Sequence, residues 1–146
     1  MDLYAFQFDL IFNPSVLEAV SVTEGSFLRH QGPTVFVPGT ISNSAGRISL
    51  TAGSLIGPIA GASGDGPLAG ITFTALANGT SNIRIGNPVL LDSTLAPVTA
   101  SLEAGVVQVG IPEPSTFYIL WGGLAGLLTL GVVRSIKTKV RLSKLL

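Results

Sequence analysis

Enzymatic chemistry needs paired acids, a histidine with a partner, a thiol, or a cradle of backbone amides, and this sequence is poor in all of them. His30 is the one histidine and cysteine is absent. No histidine metal cluster, thiol nucleophile or thiolate site can therefore be assembled, and His30 lies in a polar loop, as a solvated side chain rather than the centre of a Ser-His-Asp relay. The acids Asp2, Asp9, Glu18, Glu24, Asp65, Asp92 and Glu103 are scattered, and no local motif brings two together as a glycosidase pair. Turn and surface roles suit them better. Asp65 stands between two glycines but lacks the run of oxygen ligands that calcium loops present. Residues 61–66 are glycine-rich, yet Pro67 follows them and no Lys-Ser or Lys-Thr does, so they form no phosphate cradle. Asn78-Gly79-Thr80 has the form of a glycosylation sequon, but an Asn-Gly hairpin turn accounts for it. The expectation is a chain that is not an enzyme, with no cofactor and no metal site.

The one stretch with a clear physical task is near the end. Pro112-Glu113-Pro114-Ser115 leads into residues 115–133, which are 19 in number and uncharged, and Arg134, Lys137, Lys139, Arg141 and Lys144 follow. A helix of that length covers roughly 28 Å, about one hydrocarbon core. Leucines and Ile119 supply the transfer energy, and Tyr118 and Trp121 sit near the entry end, where amphipathic rings favour the headgroup boundary. A helix packed on a domain this small would keep a polar face for water, and this run shows none and ends in five cations without an acid. The expected elements are a single transmembrane helix over 116–133 and a basic cytoplasmic tail over 134–146, with Tyr118, Trp121, Arg134, Lys137 and Lys139 as membrane anchors.

The order Pro-Glu-Pro, apolar span, basic cluster resembles the PEP-CTERM sorting signal of exported bacterial proteins, carried here by Pro112, Glu113, Pro114 and Ser115. The resemblance implies recognition by an exosortase, a membrane protease-transpeptidase, and removal of the tail. The mature domain would then stand at the cell surface or in the extracellular matrix. The basic end departs from the family pattern by running on to Leu142, Leu145 and Leu146 with spaced cations.

Charge divides the chain in the same place. Residues 1–113 carry eight acids against Arg29, Arg47 and Arg84, and the remainder carries five bases. An acidic domain without a basic stripe excludes a nucleic-acid partner, whose phosphates require Lys and Arg on the contacting face. Basic residues after a span stay in the cytoplasm, which places residues 1–113 across the membrane. Export calls for a signal, and residues 1–12 hold neither a basic n-region nor an unbroken apolar h-region. The expectation is a start upstream of Met1. The other reading, a tail-anchored chain with its domain inside, would have to carry five cations across.

About 113 residues before the span suffice for one domain with a core. Of the whole chain only 11% of residues are charged, and Gly plus Pro come to 27, which favours short strands and many turns. In residues 3–12, Tyr4, Phe6, Phe8, Leu10 and Phe12 fall on one face and Ala5, Gln7, Asp9 and Ile11 on the other, as in a strand with one buried face. Asn13-Pro14-Ser15 stops it in a short helical turn. Further strands are expected over 19–23, 34–37, 47–52, 68–77, 81–85, 89–91 and 105–109, with loops over 26–32 and 53–67. Ala69, Ile71, Phe73 and Ala75 alternate with Thr72 and Thr74. No segment before residue 115 keeps a helical period. Such turn-punctuated strands imply an antiparallel β-sandwich.

Residues 5–10 (AFQFDL), Asn13-Pro14-Ser15-Val16-Leu17, residues 66–75 (GPLAGITFTA) and Gly79-Thr80-Ser81 resemble a cohesin module, a jelly-roll sandwich related to carbohydrate-binding modules. The resemblance runs over most of residues 2–109. It implies an extracellular binding module; cohesins of cellulosomes hold dockerin domains, and cohesin-like domains also occur outside cellulosomes. Members carry a strand before the position of Asp2, so the first strand is expected to be missing, leaving an open sheet edge. The expected architecture is thus all-β: a jelly-roll-like sandwich over 1–109, a sorting motif and linker over 110–115, then one C-terminal transmembrane helix. The expected partners are the membrane, an exosortase, and a polysaccharide or a surface protein. An uncleaved single-pass protein with a structural β-sandwich ectodomain is the alternative.

Overall fold

The alternating stretch near the start becomes the middle strand of a two-sheet sandwich. The computed structural model describes residues 2–101, 103–110 and 135–142, the last as backbone. Its elements are β1 (Ala5–Ile11), β2 (Leu17–Glu24), α1 (Ser26–Arg29), β3 (Thr34–Val37), β4 (Thr40–Ser42), β5 (Arg47–Leu55), β6 (Gly66–Ala75), β7 (Gly79–Leu91), β8 (Gly105–Val109) and β9 (Ser135–Leu142). One sheet runs β3-β5-β1-β7-β8 with β4 also on β5, and the other runs β2-β6-β9. Every named pairing is antiparallel.

The core lies between the sheets. From β1 and its continuation, Phe6, Phe8, Leu10 and Phe12 are at most 4% exposed, and from β6, Ala69, Ile71 and Phe73 are at most 1% exposed. Phe12 meets Phe73 edge-on across the gap, with ring centroids 5.2 Å apart, an arrangement that suits the aromatic quadrupole. Truncating Phe73 to alanine removes the largest fully buried side chain among the described residues. The expected cost is about 3–5 kcal/mol, read as a lower denaturant midpoint at unchanged m-value; a shift of a few tenths would mean that the two sheets do not share this contact.

Side-chain amides fasten the turns. Asn13 accepts the Ser15 N–H on its Oδ1 at 3.0 Å, and its own N–H donates to Ser81 Oγ at 2.9 Å. The β1–β2 turn is thereby tied to β7. Asn43 accepts the Ala19 N–H at 2.8 Å and returns its Nδ2 to the Ala19 carbonyl at 3.0 Å, a side-chain copy of a strand pair. At Gly25 the chain donates its N–H to the Leu68 carbonyl at 2.8 Å, and a Cβ there would overlap the Pro67 carbonyl. Only glycine permits that approach of α1 to β6.

Several expectations are corrected. The loop over 26–32 contains the single turn α1, because Phe27 and Leu28 turn inward and bury. Thr40–Ser42 adds a short strand. The strands expected over 81–85 and 89–91 are one strand, β7, since a bulge absorbs the Gly86-Asn87-Pro88 break. Residues 135–142, expected within a basic tail, form β9 on the edge of β6. The helix expected over 116–133 lies outside the described residues, among which no helix is long and apolar enough to cross a membrane.

Candidate functional site

Strand register assembles a surface that no sequence neighbourhood contains. On the outer side of the larger sheet, Ser54 pairs with Val35 and Ala5, and Ala5 pairs with Leu91. These make one row of four across β3, β5, β1 and β7. Ala52 pairs with Val37 and Gln7, and Gln7 with Val89, making the next row. Val35, Val37 and Val89 are 53%, 48% and 45% exposed. The two rows line a shallow depression of about 240 Å³, with Gln7 and Ser54 as its polar side chains. β-branched and small residues suit a pleated surface, but three half-exposed valines on one solvent-side pad exceed what strand propensity asks for.

Beyond the pad, β1 is flanked by a bulge on either side. Phe8 pairs with Thr51 and Leu10 with Ile48, so β5 carries an extra residue there. Gln7 pairs with Val89 and Asp9 with Gly86, so β7 carries one too. Each bulge holds a non-glycine residue at positive φ, Leu50 at 60° and Asn87 at 46°. Both converge on Asp9. Its Oδ1 accepts the Leu50 N–H at 2.8 Å, its Oδ2 accepts Asn87 Nδ2 at 2.7 Å, and the Arg47 guanidinium pairs with the same oxygen. The Leu50 N–H above all, then Arg47 and Asn87, hold the Asp9 carboxyl down at about 2. The carboxylate thereby offsets the left-handed backbone that bulky residues resist. Its consequence is local shape: the bulge turns Leu50 outward, 58% exposed, beside the pad. Past the bulges, Ile11 pairs with Arg47 on one side and Arg84 on the other, so two cations close this end of the face.

The other candidate residues do not gather. His30 is exposed at the C-terminal end of α1. Glu24 lies 3.8 Å from Arg29, and Asp92 caps its own turn through Thr94 and Ala96. Asp2 accepts the Ser93 hydroxyl, which draws its carboxyl below the ordinary range. Glu18, Asp65 and Glu103 are exposed. Among the described residues no group of three or more His, Asp or Glu could hold a metal ion. A second depression, bordered by Tyr4, Gly57 and Ser93, has its polar groups already engaged, Tyr4 donating to the Gly57 carbonyl at 2.6 Å. Pro112, Glu113, Pro114, Ser115, Tyr118, Trp121 and Arg134 lie outside the described residues, and Lys137 and Lys139 stand on β9 opposite Thr72 and Gly70. Sequence reasoning placed Asp9 on the solvent side of β1 with Gln7 and Ile11 and missed its role. The one available signal was a carboxylate in an otherwise uncharged strand.

Comparison with known proteins bears on the fold. A solved structure of the sixth cohesin of scaffoldin B from Acetivibrio cellulolyticus, in complex with a Cel5 dockerin mutant, superposes at a TM-score of 0.56 with 23% identity, covering 74% of this chain and 78% of that one. A non-cellulosomal cohesin from the hyperthermophilic archaeon Archaeoglobus fulgidus superposes at 0.58 with 16% identity, covering 76% and 73%. No curated protein matches. The cohesin-domain family model matches residues 1–109. With that stretch folded as the two-sheet sandwich described above, the chain belongs to the cohesin family.

Proposed function

We propose that the chain is an exported, non-enzymatic docking module that holds a protein partner on the outer face of β3, β5, β1 and β7. The observation that carries this reading is the pad itself: two rows of small and β-branched side chains, with two polar groups, ending at Leu50 and a pair of arginines. An apolar centre with a polar rim fits a protein. A sugar polymer would call for exposed rings to stack on. Phe6, Phe8, Phe12, Phe27 and Phe73 are buried, Phe36 is half-buried, and Tyr4 donates its hydroxyl to the backbone. Cohesin domains are non-catalytic interaction modules, and the solved cohesin in complex with a dockerin supplies the class of partner, a dockerin-bearing protein.

The test is a calorimetric titration of the full chain in detergent micelles against dockerin domains encoded in its own genome, beside soluble glucans and the host exopolysaccharide. Saturable binding of a dockerin with a negative heat-capacity change, the mark of apolar burial, is the expected result. Saturable binding of a glucan alone would overturn it.

Delivery rests on the sequence. Pro112-Glu113-Pro114-Ser115, the uncharged run and the cations after it support a PEP-CTERM signal processed by an exosortase, with a membrane-inserted precursor. A blot against the domain should show a mature product shorter than the precursor by about the final 30 residues, the length of an inserted span and its basic flank. A single full-length band in membranes would mean that the chain stays a single-pass protein and that the Pro-Glu-Pro is incidental.

A further inference from the structure

The strands of the larger sheet hold a single acid. β3, β4, β5, β1, β7 and β8 together contain Asp9 and no other carboxylate, against Arg47 and Arg84. Asp9 is 4% exposed and Arg47 pairs with it, so these two charges cancel. Arg84 is exposed, and among the described residues no ion pair joins it to an acid. The other acids stand elsewhere, Glu18 and Glu24 on β2 and Asp2, Asp65, Asp92 and Glu103 in connecting segments. Residues 1–113 carry eight acids against three arginines, yet the outer face of this sheet is net positive.

Register fixes where that charge lies relative to the pad. Phe8 and Leu10 are buried in the core, so Gln7 and Ile11 share the outer face. Ile11 pairs with Arg47 on β5 and Arg84 on β7, a row with a cation on each side of a 40%-exposed isoleucine. The two arginine Cα atoms are two strand spacings apart, about 10 Å, so one carboxylate above Ile11 is within reach of both side chains. Four residues of β1 separate this row from Gln7, whose row with Val37, Ala52 and Val89 crosses the pad. That is about 13 Å at the rise of a strand. Arg47 uses one nitrogen on Asp9 and keeps its side chain 44% exposed, which leaves donors of its fork for a second acceptor.

We propose that Arg84, with Arg47, is the anion-anchoring end of the docking pad: it takes a carboxylate side chain of the protein partner, about 13 Å from the partner's apolar centre, and so fixes the direction in which the partner lies. The inference rests on the docking reading and adds the sign and place of the partner's charge. Apolar burial is non-directional. The two pad rows, both of small and β-branched side chains, do not tell a partner from the same partner turned end for end. The charges do. At the opposite end Leu91 runs directly into Asp92, an exposed acid, so a reversed partner would set its carboxylate against a carboxylate and leave the arginines unmatched. An exposed ion pair adds little affinity. Its effect falls on encounter rate and orientation, while the valines supply the burial that holds the complex.

The probe is the dockerin that saturates the full chain in the calorimetric titration. Association and dissociation are followed by stopped-flow fluorescence in nonionic micelles at about 20 and about 300 mM NaCl, on either side of the salt at which exposed charges are screened. The wild-type association rate should fall about tenfold between the two salts. Arg84→Gln should lower it about threefold at low salt and Arg84→Glu about tenfold, both with a flatter salt dependence and a dissociation rate within about twofold of wild type. Arg84 is exposed, so a general loss of structure would instead raise dissociation at both salts. Lysine is then placed singly at each acid of the dockerin. One such swap should restore fast association with Arg84→Glu and slow it with the wild type, which identifies the anchored carboxylate. Association rates that are the same in wild type and both variants, or no swap that restores Arg84→Glu, overturn the anchor. If Val37→Glu/Val89→Glu still abolishes binding in that case, the pad stands without it. If no dockerin binds the chain, the docking reading and the anchor fall together.

Discussion

Replacing Asp9 with alanine is expected to lower folding stability by about 3 kcal/mol, through the loss of a buried, charged acceptor that serves three donors. The Leu50 N–H loses its partner inside the sheet, whereas Arg47, with its side chain 44% exposed, and the exposed Asn87 can turn to water. That partial escape keeps the cost toward the lower end of what breaking a buried ion pair brings. Asparagine keeps the shape and one acceptor oxygen for Leu50, so Asp9→Asn should cost about 1–2 kcal/mol. The pH dependence separates charge from shape. The Asp9 carboxyl sits at about 2 in the fold against an ordinary 3.8, so the unfolded chain binds the proton first. The stabilisation is complete above about pH 4 and drains away as pH falls toward 2. Denaturant midpoints from pH 6 to pH 2.5 should therefore converge between wild type and Asp9→Asn at the acid end. Parallel pH curves would show that the carboxylate does not stabilise the bulges. Because the β5 bulge turns Leu50 outward two residues from Ala52 of the pad, the alanine variant should also bind a partner more weakly than its remaining folded fraction accounts for.

The parts of this fold that could be read from the sequence are those in which one residue's type decides one residue's environment. β1 and β6 alternate with period two, and their buried rows are the expected ones: Phe6, Phe8, Leu10 and Phe12 on one, Ala69, Ile71 and Phe73 on the other. Asn13-Pro14-Ser15 stops the first strand, through the Asn13 side chain. The misreadings share a cause. Gly86-Asn87-Pro88 has the composition of a turn, but β1 pairs on both sides of it, and a bulge lets β7 continue. No glycine marks the left-handed positions at Leu50 and Asn87, so the carboxylate that supports them reads in the sequence as a solvent-facing acid. In residues 135–142 the cations outweighed an alternation that was equally visible. Family membership was legible because the strand and turn residues of residues 2–109 are the ones that define the module; the helix expected over 116–133 falls outside the described residues. The proposed docking pad was invisible for a topological reason. Val35, Ala52, Ala5 and Val89 come from four strands, and only register makes them neighbours.

Charges placed on that pad should abolish partner binding while leaving the fold intact. Val37 and Val89 end the same row, on opposite sides of Ala52 and Gln7, and both are about half exposed in the free domain. In a complex centred there, both become desolvated, and a carboxylate without a partner at each position costs more than the lost methyl contacts alone. Val37→Glu/Val89→Glu should weaken dockerin binding by about a hundredfold or more, equivalent to about 2.7 kcal/mol. Folding stability should move by about 0.5–1 kcal/mol at most, because the valines leave no core and only strand propensity is lost. The lysine pair, Val37→Lys/Val89→Lys, serves as the control for sign. If the pad is an apolar contact, either charge disrupts it to a similar extent; if binding instead follows attraction to Arg47 and Arg84, lysines should weaken an acidic partner little and glutamates should be the more damaging. Undiminished affinity in both double variants, at unchanged thermal stability, would place the partner on some other surface, because two buried charges of either sign cannot be neutral at the centre of an apolar interface.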